Sequence, residues 1–179
     1  MERNEKHDIA RLAELAHVGA IQAASAFAQL VGQPITAVAP IVSDAGPSSG
    51  VGDPKATGVF FELEGCLDAI VGIVFPGRAS ETLVRQIVGI ESGELDSTIV
   101  ESALMEVGNI LASHVASAIA DHLGERLLPS IPSLSAANAE NELEAFIERV
   151  VGECAPRIES GLANKDGGLC GYLVLAPTR

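Results

Sequence analysis

The stretch Ser-Ala-Leu-Met-Glu-Val-Gly-Asn at residues 102–109 begins a spaced pattern of residues, called the frame below, that is central to the fold of this chain. Its polar residues Ser102, Glu106 and Asn109 are spaced at i, i+4 and i+7, so they share one face of a helix. A proline, Pro132, follows the asparagine after 22 further residues. An exposed glutamate near an asparagine is ordinarily a solvated helix face, so this spacing alone predicts no function. The pattern gains weight because it occurs twice.

The other occurrence lies 92 residues upstream, with its polar residues changed. Nine of 29 positions are identical when residues 12–40 are laid on residues 104–132, among them the glycine and the proline near the end of each frame. Two copies are too few for a solenoid. They suit a single domain, residues 1–179, built of two repeats at about 8–90 and 97–179. The upstream frame reads Ala10-x3-Glu14-x2-His17-x22-Pro40.

The composition predicts a soluble, acidic protein with an aliphatic core. The formal net charge is -13, and aromatic residues make up only 3% of the chain. Nucleic acids and anionic membranes both require a positively charged surface, so we expect neither as a partner. Strong acidity with few lysines also suits a salt-rich cytoplasm, where charges are screened over short distances. We therefore expect halophile-like salt adaptation.

The cysteine and targeting signals favour a cytoplasmic protein without a metal. The cysteines are odd in number and lack a C-x-x-C pair, which argues against a disulfide framework or a zinc site. They are predicted to be buried free thiols in a reducing compartment. The charged N-terminus resembles no signal peptide, and no apolar run reaches the roughly 18 residues of a membrane span. The glycine-rich residues 46–52 lack the lysine of a phosphate loop, so no nucleotide is expected. The cysteines are Cys66, Cys154 and Cys170.

Hydrophobic periodicity and turn residues predict an α+β fold. The strands follow one another mainly as hairpins, so the sheet should be mostly antiparallel, with pseudo-twofold symmetry and with two long helices and shorter helices packed on it. A loop is expected at 43–58. The predicted helices are 8–31, 79–88, 98–123 and 140–151. The strands, about six, are predicted at 34–42, 59–64, 67–75, 127–135, 156–163 and 169–175.

The frame from Ser102 to Pro132 resembles the signature of the CheC/CheX/FliY phosphatases of bacterial and archaeal chemotaxis. The resemblance covers nearly the whole chain, because it includes the repeat, the glycine that closes each long helix and the hairpins behind it. It is closest to the CheC type with one intact motif. The upstream copy departs from the pattern at Ala10 and His17.

The resemblance implies hydrolysis of the phosphoaspartate of the response regulator CheY. The CheY receiver would supply the phosphoaspartate, a Mg²⁺ ion and a lysine, so we expect no cofactor bound by this chain itself. Asn109 would hold a water in line with phosphorus, since a carboxamide is uncharged and offers both a donor and an acceptor. Glu106 would pair with the receiver lysine and fix the docking register. Ser102 and Pro132 are expected to support this site.

Two questions stay open at the level of sequence. The upstream pair, Glu14 and His17, is predicted to form a degenerate first site that is inactive or weak. The alternative to a phosphatase is a non-catalytic adaptor that binds CheD or CheY. A monomer is expected in either case, because two halves in one chain supply the symmetry that a dimer would provide.

Overall fold

The computed structural model describes residues 2–43, 52–152 and 155–178, with side chains from Asp8 onward. Cys154 and most of the glycine-rich stretch lie outside the described residues. The helices are α1 (Glu2–Val31), α2 (Gly77–Val88), α3 (Ser97–Leu123) and α4 (Ala139–Val151). The strands are β1 (Ile35–Ala37), β2 (Ile41–Ser43), β3 (Thr57–Gly65), β4 (Ala69–Phe75), β5 (Leu127–Pro129), β6 (Ser133–Ser135), β7 (Arg157–Asn164) and β8 (Leu169–Pro177).

The four helices confirm the predicted pattern, and local chemistry explains their ends. Gly32 and Gly124 follow the two long helices with φ of 66° and 68°, a left-handed conformation that glycine adopts without steric cost. Asp96 caps the start of α3 by accepting a hydrogen bond of 2.8 Å from the backbone N–H of Thr98. The helix that carries the frame is therefore fixed at both ends.

The α+β class and the antiparallel sheet are confirmed, but the sheet has eight strands rather than about six. The strands predicted at 34–42 and 127–135 are each broken in two. At both breaks, three residues stand opposite two residues of the neighbouring strand, which is a β-bulge. The third of the three is Pro40 in one bulge and Pro132 in the other. A proline has no N–H to donate to the ladder, so pairing is interrupted there.

The strand order is symmetric about the centre of the sheet. The order is β1-β7-β8-β4-β3-β5, with β2 also on β7 and β6 also on β3. β1 starts against the end of β7, with Ile35 opposite Asn164, just as β5 starts against the end of β3, with Leu127 opposite Gly65. This arrangement is the pseudo-twofold sheet expected from the sequence. The duplication and the limits of the repeats stay predictions.

Two hydrophobic clusters lie on opposite faces of the sheet. Along β3, Val59 and Phe61 join the cluster formed with α1, α2 and α3. Phe60 between them joins the smaller cluster under α4. This alternation is the period of two that a strand imposes on its side chains. It places α3 and α4 on different faces, so the chemistry of the frame is separated from α4 by the sheet.

By length and composition, α3 could cross a membrane, although half of the relevant stretch is buried in the protein. This helix contains no uninterrupted apolar run of about 18 residues, so that criterion did not identify it as a candidate membrane span. The buried residues of α3, including Val107, Leu111 and Val115, all belong to the main core cluster. A core helix with such a buried stripe passes the same test, so the finding adds no argument for a membrane.

The cysteines differ in burial from the prediction. Cys66 and Cys170 are free thiols, but each is only half-buried. Both contact the margin of the main core cluster. Partial burial raises the pKa of the Cys170 thiol, because the thiolate is less well solvated there. This thiol is therefore less reactive than an exposed one.

Candidate functional site

The polar stripe expected on the second long helix lies at the surface. Ser102, Glu106, Asn109 and Ser113 are all exposed on α3. The opposite side of the helix packs into the core, because its apolar residues recur at the helical period. The core-facing residues include Leu104, Val107 and Leu111. The structure thus displays the predicted residues together on one face.

Gly108 seats α3 closely on the sheet directly beside Asn109. A Cβ added at Gly108 would lie 2.5 Å from Cγ1 of Val59 on β3, closer than real side chains approach. Only glycine allows the helix this approach without displacing the strand. This role of Gly108 could not be predicted from the sequence, since a glycine inside a helix gives no local signal of what it packs against.

Pro132, the predicted supporting residue, is buried in the bulge between β5 and β6. Both of these short strands contact α3. The backbone N–H of Ser130 donates to Glu62 O at 2.8 Å, and its Oγ accepts from the N–H of Glu62 at 2.9 Å. The proline is thus part of a hydrogen-bonded bulge at the sheet edge beside the α3 helix.

Glu106 and Asn109 are free to bind a partner. Within residues 8–43, 52–152 and 155–178, neither side chain has a hydrogen bond or an ion pair. The same ranges contain no group of three His, Cys, Asp or Glu side chains that could hold a metal ion. A carboxylate and an amide displayed on a rigid helix can pair with a cation and orient a water on a partner molecule.

The upstream copy presents its residues differently. His122 on α3 brings its Nε2 within 3.3 Å of Glu14 Oε1 on α1. Leu30 occupies the position equivalent to His122 in the repeat, so the contact has no counterpart at Glu106. His17 is half-buried, and its Nδ1 is shielded from solvent without a partner among the described residues. The first copy therefore lacks a freely displayed pair.

A second cluster of titratable groups lies on the α4 face of the sheet. Tyr172 donates a hydrogen bond of 2.8 Å to Glu140. Burial, and then that hydrogen bond, raise the pKa of the tyrosine. Nearby, the buried Arg157 guanidinium pairs with Glu144 of α4. These groups join α4 to β7 and β8, and they lie across the sheet from Asn109.

The sequence of this chain is similar to those of known proteins. Residues 99–149 match the model of the CheC-like family. The chain is also similar to the CheY-P phosphatase CheC of Bacillus subtilis strain 168, with 30% identity over 142 residues that cover 74% of this chain and 67% of that protein.

Solved structures share the fold at lower identity. Thermotoga maritima FliY superposes with a TM-score of 0.69 and 16% identity, covering 93% of this chain and 88% of FliY. CheX in the CheX–CheY–BeF3–Mg²⁺ complex of Borrelia burgdorferi superposes with a TM-score of 0.62 and 14% identity, covering 90% of this chain and 96% of that chain. These identities establish the fold alone.

Proposed function

This chain belongs to the CheC-like family, and from that premise we propose that it removes the phosphoryl group from the phosphoaspartate of CheY. The observation that carries the proposal is the display of Glu106 and Asn109 on one face of α3, exposed and without a hydrogen-bond partner among the described residues. The relative from Bacillus subtilis is named a CheY-P phosphatase, and a structural neighbour forms a complex with CheY. Both support a receiver domain as the substrate.

The proposed reaction divides the chemistry between the two proteins. Asn109 orients a water against the phosphorus of the phosphoaspartate, with its amide oxygen accepting a hydrogen bond from the water. The water attacks, the bond from phosphorus to the aspartyl oxygen breaks, and inorganic phosphate leaves. Glu106 pairs with a lysine of the receiver and fixes the approach. A Mg²⁺ ion held by the receiver would supply the charge that stabilises the phosphoryl group, so we propose no cofactor bound by this chain itself.

A pair of matched glutamate variants tests the docking role. We expect Glu106→Ala to lower the rate of phosphate release from phosphorylated CheY about tenfold at low receiver concentration, since a charged hydrogen bond is lost. Glu14→Ala changes an equally exposed glutamate of the other copy, and we expect its rate to stay within about twofold of wild type. Phosphate release is followed with a fluorescent phosphate sensor. Equal losses in both variants would contradict a site confined to α3.

The first copy is proposed to be silent, and rebuilding it tests why. In an Asn109→Ala background, Ala10→Ser with His17→Asn recreates the intact frame on α1. We expect less than about a tenth of wild-type activity, because Glu14 still faces His122. Adding His122→Leu frees the glutamate and should raise the rate a further two- to fivefold, the size of a surface ion pair. No gain from that third change would show that the histidine contact is irrelevant.

The second candidate function is a non-catalytic adaptor that binds CheD or CheY. The contact of Glu14 with His122 favours the adaptor, because it shows that one of the two copies no longer displays a free glutamate. A tight complex with the CheY receiver without faster loss of phosphate would select the adaptor, and binding to CheD would be measured next. A monomeric state and a cytoplasmic location remain expectations under either function.

A further inference from the structure

Ile131 is an apolar side chain presented to solvent at the edge of the sheet. The residue is 87% exposed, the highest value among the large hydrophobic residues of the described chain. Exposing an isoleucine has no folding benefit, since burial of apolar surface is what stabilises the folded state. A single exposed apolar residue is ordinary, so its setting decides whether it has a role.

The backbone around Ile131 is fixed. On one side, Ser130 exchanges two hydrogen bonds with Glu62 of β3. On the other side, Pro132 is buried, and Ser133 resumes the pairing opposite Phe60. A bulge re-aims the side chains that it contains. The exposure of Ile131 therefore results from an ordered bulge and not from a fraying end of the chain.

The bulge adjoins the helix that carries the candidate site. Gly108 lies directly on Val59 of β3, and Val59 is paired with Leu134 of β6. The strand beneath Asn109 is thus the immediate neighbour of the edge that holds Ile131, and α3 contacts both β5 and β6. A globular partner docked at Asn109 would therefore lie close to the bulge that holds Ile131.

The repeat links the isoleucine to the intact copy. The equivalent position in the first copy is Ala39, and the equivalent of Asn109 is His17. At these two aligned positions, the isoleucine and the asparagine therefore occur together in one copy, and neither occurs in the other. The net charge of -13 adds a reason for such a contact. An acidic protein gains little long-range attraction to a phosphoryl group, which favours a contribution of apolar burial to the affinity.

We propose that Ile131 is an apolar docking residue for the CheY receiver, beside Glu106 and Asn109, and this rests on the proposed function. It contributes affinity by being buried when the receiver binds, and it takes no part in the transfer of the phosphoryl group. Replacing it therefore changes the concentration of receiver needed, while the maximal rate stays the same. A positioning role in catalysis would instead lower the maximal rate.

The test compares Ile131→Ala with Leu128→Ala. Leu128 is a matched control, because it is 62% exposed on the same edge but lies in the regular pairing of β5, opposite Glu64. Phosphate release is measured against receiver concentration. We expect Ile131→Ala to raise the half-saturating concentration about tenfold and to keep the maximal rate within about twofold. Leu128→Ala should leave both values unchanged.

Calorimetry with the CheY receiver carrying Mg²⁺ and beryllium fluoride measures the affinity without turnover. A loss of about tenfold confined to Ile131→Ala supports the proposal. If Ile131→Ala binds with wild-type affinity while the wild-type protein accelerates phosphate release, the docking role is overturned. The proposed phosphatase activity is then unaffected. A wild-type protein that neither binds the receiver nor accelerates phosphate release overturns both.

Discussion

Asn109→Ala is expected to lower the rate of phosphate loss from phosphorylated CheY at least about 100-fold. The amide is the group proposed to hold the attacking water, and misplacement of a reacting group by as little as about 1 Å costs a comparable factor. Asn109 is exposed, and its side chain has no hydrogen bond within the described residues, so we expect its truncation to leave the fold intact. The midpoint temperature of thermal unfolding should shift by no more than it does for a typical surface substitution.

Three companion variants locate the effect. Asn109→Asp keeps the shape but adds a negative charge facing the phosphate, and we expect it to be as inactive as the alanine variant. Asn109→Gln keeps the amide on a longer stem and should recover only a small part of the activity. His17→Ala, at the equivalent position of α1, should retain the full rate. If His17→Ala were inactive and Asn109→Ala active, the working site would lie on α1.

Glu144→Ala is expected to cause the largest loss of stability. The guanidinium of Arg157 is buried, with a side chain only 3% exposed, and it donates to both carboxylate oxygens of Glu144. After removal of the carboxylate, the guanidinium keeps its hydrogen bond to the backbone carbonyl of Ala155. Breaking a buried pair from one side costs about 3–5 kcal/mol of the free energy of unfolding.

Urea denaturation measures this loss, with Glu148→Ala as the matched control. Glu148 is exposed on the same helix, so its removal should change the free energy of unfolding by no more than about 0.5 kcal/mol. Replacing both partners, with Glu144→Leu and Arg157→Met, should restore most of the stability, because no charge is then left buried. Equal stability of Glu144→Ala and wild type would show that the pair contributes nothing. The rate per folded molecule should not change, since α4 lies across the sheet from Asn109.

The helices and the candidate site could be predicted because their signals are local. Helical spacing places Glu106 and Asn109 on one face, and the glycines that end the long helices require a left-handed backbone. The bulges could not be predicted, since the three-against-two pairing of Pro40 and Pro132 depends on β7 and β3, far along the chain. Pairing register is a property of two strands, and neither carries it alone.

Contacts between residues that are far apart along the chain could not be predicted from the sequence either. Gly108 resembles any helical glycine until Val59 is found beneath it. Likewise, His122 shows no link to Glu14, because the two residues approach only once α1 and α3 pack together. The roles of these residues arise from tertiary neighbours, whereas the period of a helix is contained in its own residues.

The two bulges have a consequence for the edges of the sheet. Each outer edge consists of two strands of three residues, β1 with β2 on one side and β5 with β6 on the other. A long flat edge would be a template on which a strand of another molecule could pair. Here an incoming strand meets at most three residues in register before an interruption that contains Pro40 or Pro132. The two bulges thus also limit edge-to-edge aggregation of this protein in a crowded solution.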